Sequence, residues 1–406
     1  MWYEIGIFFY DLAVHAVALF KSKPRKMIKG RKLVYELLRQ QVKKDARYIW
    51  FHVASLGEFE QGRPLMEAIR ARHPKYKIVL TFFSPSGYEV RKDYRGADII
   101  CYLPFDRIHN VRKFFEVIHP CMAFFIKYEF WKNYLDELHK LHIPVYSVSS
   151  IFRKEQLFFK WYGGNYRKVL KNFDCLFVQN EDSKNSLARV GIDRVAVVGD
   201  TRFDRVLQIQ KKTKRLPLVE KFKRWTTTLV AGSSWSPDED LVIEYFNTHP
   251  NIKLILAPHV VDEHHLVGII SKLKRPYICY THADEESVQK ADCLIIDCYG
   301  LLSSVYSYGK VAYIGGGFGM GIHNTLEAAV YGIPVLFGPK YQKFMEAVQL
   351  IETEGAYSVN NYDELHALLD RLFSDRQFLR ETGKRAGDYV ITNTGATNKI
   401  LDMISF

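Results

Sequence analysis

The chain has 406 residues, 48% hydrophobic and 25% charged, and its 57 Lys and Arg against 45 Asp and Glu give a formal net charge of +12. At roughly 100–200 residues per domain this length suggests two domains, and the apolar content is too high for a disordered protein. Six scattered cysteines form no C-x-x-C pair, which argues against a disulfide scaffold or structural zinc, while the basic excess calls for an anionic partner.

Residues 1–20 are largely apolar, and Glu4, Asp11 and His15 fall on one face of a helix there. The following stretch, KSKPRKMIKGRK (21–32), carries seven Lys or Arg and no acid. In a secretory signal the positive charge precedes the apolar run, whereas here it follows. A soluble first helix packed on the core is one outcome. The one expected here is a membrane-associating helix and basic stretch over 1–32, lying on an anionic leaflet at the cytoplasmic face. Two acids argue against a clean span.

Beyond residue 45, short apolar strands alternate with amphipathic helices. Strands are predicted at 48–53, 77–82, 121–126, 143–148 and 174–178, with helices at 60–72, 108–118 and 130–141. A second series begins near 228 and continues at 253–258, 292–297, 310–316 and 333–338. This alternation predicts an α/β protein of two Rossmann-like, doubly wound domains facing a central cleft. Their expected limits are 33–204 and 225–406, with the charged stretch 205–224 as the interdomain segment.

In doubly wound sheets ligands sit beyond the carboxyl ends of the strands, so the loops there are the candidate sites. Ala54-Ser55-Leu56-Gly57-Glu58 follows the first strand; Glu58 stands at a helix start, either capping it or serving as a general base. Ser84-Pro85-Ser86-Gly87 reads as a turn or an anion contact. Lys127 and Glu129 follow the strand 121–126, where a surface ion pair would be unremarkable. In the second series, Gly232-Ser233-Ser234-Trp235 offers hydroxyl and N–H donors. The run 314–327, IGGGFGMGIHNTLE, has the form of a strand–loop–helix phosphate site at Gly315, Gly316 and Gly317, with Glu327 one turn into the helix. It is neither a Walker loop nor a G-x-G-x-x-G fingerprint. His259, His264 and His265 fit no zinc motif, so no metal is expected there.

Taken in order, these loops resemble the 3-deoxy-D-manno-octulosonic acid (Kdo) transferases of lipopolysaccharide synthesis, from about residue 45 to 390. The markers are Ala54–Glu58, Ser84–Gly87, Tyr102–Asp106, Glu129-Phe130-Trp131, Gly199–Asp204, Ala231–Ser234, Asp297-x-x-Gly300, His323–Glu327 and Gly332–Pro339. The resemblance implies an inverting glycosyltransferase of the GT-B type at the inner membrane. CMP-Kdo would be the donor and a phosphorylated lipid A precursor of the lipid IVA type the acceptor, with no cofactor or catalytic metal. It implies Glu58 as base, with Ser55, Gly57, Ser86 and Glu129 on the acceptor side. Ser233, Ser234, Pro258, His259, Gly315–Gly317, Asn324 and Glu327 would lie on the donor side. The chain departs from the pattern where Lys127 replaces a Glu and where Pro258-His259 replaces Pro-Arg-His-Pro, leaving His259 where an Arg is expected near the phosphate. The alternatives are a GT-B enzyme or epimerase using UDP-sugars, and a nucleic-acid binder; no recognised nucleic-acid motif supports the latter.

Overall fold

The computed structural model describes residues 2–406. Met1, part of the expected first helix, lies outside the described residues. The chain packs as two units, one comprising the chain through Arg205 together with Thr394–Phe406, the other Val206–Asn393.

The first unit holds β1 (Arg47–Val53), β2 (Tyr76–Phe82), β3 (Ile99–Tyr102), β4 (Pro120–Ile126), β5 (Val145–Ser150), β6 (Cys175–Val178) and β7 (Val195–Val197). They form one parallel sheet in the order β3-β2-β1-β4-β5-β6-β7. Parallel sheets are covered on both faces, which is why β1 is an almost continuous apolar run. Ile49, Trp50, Phe51 and Val53 are all fully buried, and so is the polar exception, His52. The chain winds outward from β1 through β2 to β3, then restarts at β4 on the other side of β1. The order therefore reverses between β1 and β4, and the loops after these two strands flank the switch point.

The second unit repeats the plan with β8 (Thr227–Ser234), β9 (Ile252–Pro258), β10 (Tyr277–Cys279), β11 (Cys293–Ile295), β12 (Val311–Ile314), β13 (Val335–Phe337) and β14 (Ala356–Ser358). Its parallel order is β10-β11-β9-β8-β12-β13-β14, so its switch point lies between β8 and β12.

Two boundaries differ from the expected ones. Within 205–224, Val206, Val219 and Phe222 are buried and belong to the second unit, because a charged stretch with apolar residues at helical spacing is a packed helix and not a linker. Residues 394–406 return to the first unit. The helix Ala396–Asp402 lies on α3 (Leu56–Arg72) with Ile400 fully buried and Leu401 nearly so, and Asp204 accepts from the backbone N–H groups of Gly395 (2.6 Å) and Thr397 (2.7 Å).

The first helix, Trp2–Ala18, is inverted relative to a core helix. Its polar face turns toward the protein: Tyr3 donates to Asp106 (2.6 Å), Glu4 accepts from Asn133 (2.5 Å) and Asp11 pairs with Arg107 (3.3 Å). Phe8, Phe9, Leu12, Leu19 and Phe20 are exposed on it and just beyond it. The basic stretch opens the next helix, Ser22–Gln41, but not all of it faces water. Arg31 is 7% exposed; it donates to the carbonyls of Leu103 (2.7 Å) and Phe83 (3.1 Å) and stacks on Phe105. Arg25 donates to the carbonyls of Ala18 and Leu19, closing the end of the preceding helix.

Candidate functional site

In the first unit, α3 begins where β1 ends. Ser55 is its N-cap, accepting from the Gly57 N–H (3.3 Å), and its hydroxyl donates to the Glu58 carboxylate. Glu58 is thus both part of the helix start and a half-buried carboxylate at the switch point, with one oxygen fixed by Ser55. The loops after β1 and β2 run side by side, with Ser84 N–H donating to the Ala54 carbonyl (2.8 Å). Ser84 caps the helix Pro85–Arg91 and leaves Ser86 exposed.

The glycines of these loops differ in purpose. A Cβ on Gly87 would strike the Phe82 ring at 2.4 Å and the Ser55 backbone at 2.9 Å, so packing demands glycine. A Cβ on Gly57 would meet only Ser55 Oγ, at 3.8 Å, so nothing in the fold requires it.

Glu129, after β4, does not pair with Lys127. Its Oε2 accepts from Trp131 Nε1 (2.8 Å) and lies 2.9 Å from His52 Nε2. A chain of hydrogen bonds reaches Glu129 from the core. The Trp50 indole can only donate, and does so to Thr81 Oγ1 (2.8 Å); the Thr81 hydroxyl lies 2.9 Å from His52 Nδ1 and 3.3 Å from the Phe51 carbonyl. Trp131 Nε1 also lies 3.2 Å from His52 Nε2. The sequence signal for His52 was present: a lone imidazole inside a strand buried on both faces must find partners.

Other markers hold the structure together. Asp200 accepts from Gln61 (2.9 Å) and Arg202 (2.8 Å); burial would raise its pKa, but the Arg202 charge and hydrogen bonds outweigh it and hold the carboxyl below its ordinary value. Asp106 accepts from the N–H groups of Asn133 and Tyr134 as well as from Tyr3, and burial lifts its pKa to about 6.

In the second unit the loops after β8, β12 and β13 pack backbone against backbone. A Cβ on Gly315 would strike the Ser233 carbonyl at 2.3 Å, and one on Gly317 would strike Gly338 at 2.5 Å. Gly316 has φ +94° and donates its N–H to Asp238 (2.8 Å). The Gly-rich run is therefore first a packing device. The helix that follows is only Leu326–Ala329, four residues, shorter than the helix expected there. Ser233 sits at φ +54°, Ser234 is buried and donates to Glu239 (3.0 Å), and Asn324 donates to Glu327 (3.0 Å). Pro258 is buried at the end of β9.

His259 lies against two rings, Trp235 at 4.8 Å and His323 at 4.4 Å, and Trp235 Nε1 donates to His323 Nε2 (3.1 Å). Desolvation under these neighbours holds His259 below the ordinary histidine range, and burial together with the His259 charge takes His323 down to about 4. His259 is then neutral at pH 7 and does not replace an Arg charge. Lys340, unmarked by any motif, brings an exposed cation to the Gly-rich loop, its Nζ 3.4 Å from the Phe318 carbonyl. The three histidines 259, 264 and 265 do not converge, since His265 is engaged by Glu239 (2.9 Å) while His259 is stacked.

Two parallel sheets with their polar loops gathered at both switch points define the GT-B fold class. Among solved structures, a UDP-N-acetylglucosamine 2-epimerase from Neisseria meningitidis is similar with a TM-score of 0.64 at 15% identity, over 87% of this chain and 98% of that one. A second UDP-N-acetylglucosamine 2-epimerase gives 0.60 at 12% identity, over 88% and 95%. Residues 28–205 match the model of the family described as 3-deoxy-D-manno-octulosonic-acid transferase (kdotransferase). The 3-deoxy-D-manno-octulosonic acid transferase of Aquifex aeolicus is 27% identical over 84% of this chain and 90% of its own length. That of Chlamydia trachomatis serovar D is 26% identical over 92% of each. Over residues 28–205 by the family model, and over most of its length by these relatives, the chain is similar to the Kdo transferases.

Proposed function

We propose that this protein transfers Kdo from CMP-Kdo to a phosphorylated lipid A precursor of the lipid IVA type, by a single inverting displacement at the cytoplasmic face of the inner membrane. The observation that carries this is Glu58, a carboxylate at the carboxyl end of β1 beside the switch point, with one oxygen fixed by Ser55. The acceptor hydroxyl oxygen bonds to the anomeric carbon of Kdo while its proton passes to Glu58. The bond from that carbon to the CMP phosphate breaks, and the electron pair leaves with the phosphate. Glu129, held by His52 and Trp131, lines the acceptor side together with Ser86 and Gly57.

On the donor side, Ser233, His259, Asn324 and Glu327 are the side chains offered to the nucleotide, and Lys340 supplies a cation for the phosphate. A monophosphate leaving group develops less charge than a diphosphate, so this chemistry has no need of a metal cofactor. In Kdo transfer assayed by product mass, Glu58→Gln is expected to reduce the rate by roughly 100-fold or more with the fold intact. Transfer from UDP-sugars in place of CMP-Kdo, or near-normal rates in the variant, would sink the proposal.

A further inference from the structure

Far from the Gly-rich loop, at the amino ends of β8 and β9, the second unit carries a polar cluster that the transfer reaction leaves unused. His249 ends the helix Ser236–Thr248, and His366 and Asp370 lie one turn apart on the helix Tyr362–Ser374. His249 Nε2 is 3.2 Å from Asp370 Oδ1, and His366 Nδ1 is 3.7 Å from Asp370 Oδ2. One ligand atom from each lies within 4.8 Å of the others. In a tetrahedral zinc site with bonds of about 2.0 Å, neighbouring ligand atoms are about 3.3 Å apart, so small side-chain adjustments bring all three to one ion.

The surroundings fix these groups in the way metal ligands are fixed. His249 Nδ1 lies 2.7 Å from the Tyr245 carbonyl, which can only accept, so Nδ1 holds the proton. Nε2 is then the ring nitrogen turned toward the Asp370 carboxylate, the placement a metal ligand needs. Asp370 Oδ1 is itself oriented by the Tyr245 hydroxyl (2.8 Å), and the Tyr245 ring stacks on His249 at 3.9 Å. One tyrosine therefore sets both ligands, from its carbonyl and from its hydroxyl. His366 packs against the His249 ring at 5.2 Å, which keeps both imidazoles beside the Asp370 carboxylate. A cavity of about 480 Å³, lined by His249 and Asp370 with Thr227 and Ser374, opens onto the cluster and gives access to an ion and its water.

We propose that His249, His366 and Asp370 bind one divalent transition-metal ion. Two imidazole nitrogens and one carboxylate oxygen favour Zn²⁺, Ni²⁺ or Co²⁺ over Mg²⁺ and Ca²⁺, which take oxygen ligands. The ion takes no part in Kdo transfer; it ties the end of one helix to the side of another. The test uses untagged full-length protein, stripped with chelator and titrated calorimetrically with Zn²⁺, and separately with Co²⁺ read by its ligand-field absorption. One ion per chain and a Zn²⁺-dependent rise in Tm are expected. Binding should weaken at least tenfold in His366→Ala and in Asp370→Asn. It should weaken about tenfold in Tyr245→Phe, which removes no ligand but frees the carboxylate. Circular dichroism checks that each variant is folded, and the wild-type titration stands without them. Absence of saturable binding to wild type, or unchanged binding in the double variant His249→Ala/His366→Ala, would reduce the cluster to an ion pair.

Discussion

Glu129 illustrates how much of a carboxylate's behaviour is set by residues that never touch a substrate. Four side chains, Trp50, Thr81, His52 and Trp131, fix its position through hydrogen bonds of 2.8–2.9 Å. His52→Gln removes the imidazole that links Thr81 to Glu129. Because misplacement by an ångström is enough to cost about 100-fold, kcat is expected to fall roughly 10- to 100-fold. KM for CMP-Kdo should barely change, and steady-state kinetics separate the two. On the proposed donor side the expected Arg is missing and burial favours a neutral His259, so Lys340 is the cation proposed for the phosphate. Lys340→Met is expected to raise KM for CMP-Kdo about tenfold, the loss of one charge-assisted contact, whereas His259→Asn should not reproduce it. Glu58 and Glu129 were legible in the sequence because strand-end loops announce themselves. Lys340 was not, because it lies outside every motif and reaches the Gly-rich loop through the packing of Gly317 on Gly338.

Among the elements, the strands visible in the sequence and those hidden in it divide by position. The ten inner strands have predicted counterparts; β3, β7, β10 and β14 do not, and these are the four edges of the two sheets. An edge strand is short and covered less completely, so it lacks the continuous apolar run that marks a central parallel strand. The first helix was read correctly in its pattern but its orientation follows from Asp106. That carboxyl is held at a pKa of about 6 chiefly by burial, against three hydrogen bonds, one of them from Tyr3 of the helix, that pull it down. When the helix detaches, Asp106 is hydrated and returns to an ordinary carboxylate. The docked form thus keeps its proton to higher pH, so docking is strongest below the ordinary carboxylate range and weakens as pH rises through 6. Protection factors from hydrogen exchange for residues 3–18 are expected to be larger at pH 5 than at pH 7.5, with the core strands as reference.

At the scale of the whole molecule, the excess charge separates into parts. Of the seven basic residues in 21–32, Arg25 and Arg31 are committed to backbone carbonyls, leaving Lys21, Lys23, Lys26, Lys29 and Lys32 exposed. They follow a helix whose polar side is taken by the protein and whose phenylalanines face out. Among the described residues no single helix is long and apolar enough to cross a membrane. On the membrane association proposed above, the aromatic face would insert shallowly with the lysines at the headgroups. At about 1 kcal/mol per lysine near an anionic surface, the protein is expected to sediment with vesicles containing anionic lipid and not with neutral ones. Raising salt should release it, and Phe9→Ser/Phe20→Ser should weaken binding without affecting transfer to a detergent-dispersed acceptor.

The return of residues 394–406 has its consequence on the ribosome. The second unit is in effect an insertion of 188 residues, Val206–Asn393, into the first. While it is being made, the first unit waits with the surface of α3 that Ile400 and Leu401 will cover still bare, and with the Asp204 carboxylate lacking the two N–H groups that it later caps. The part of the protein synthesised first is thus the last to be finished, and its partly closed core must be kept from aggregating through the synthesis of an entire second domain.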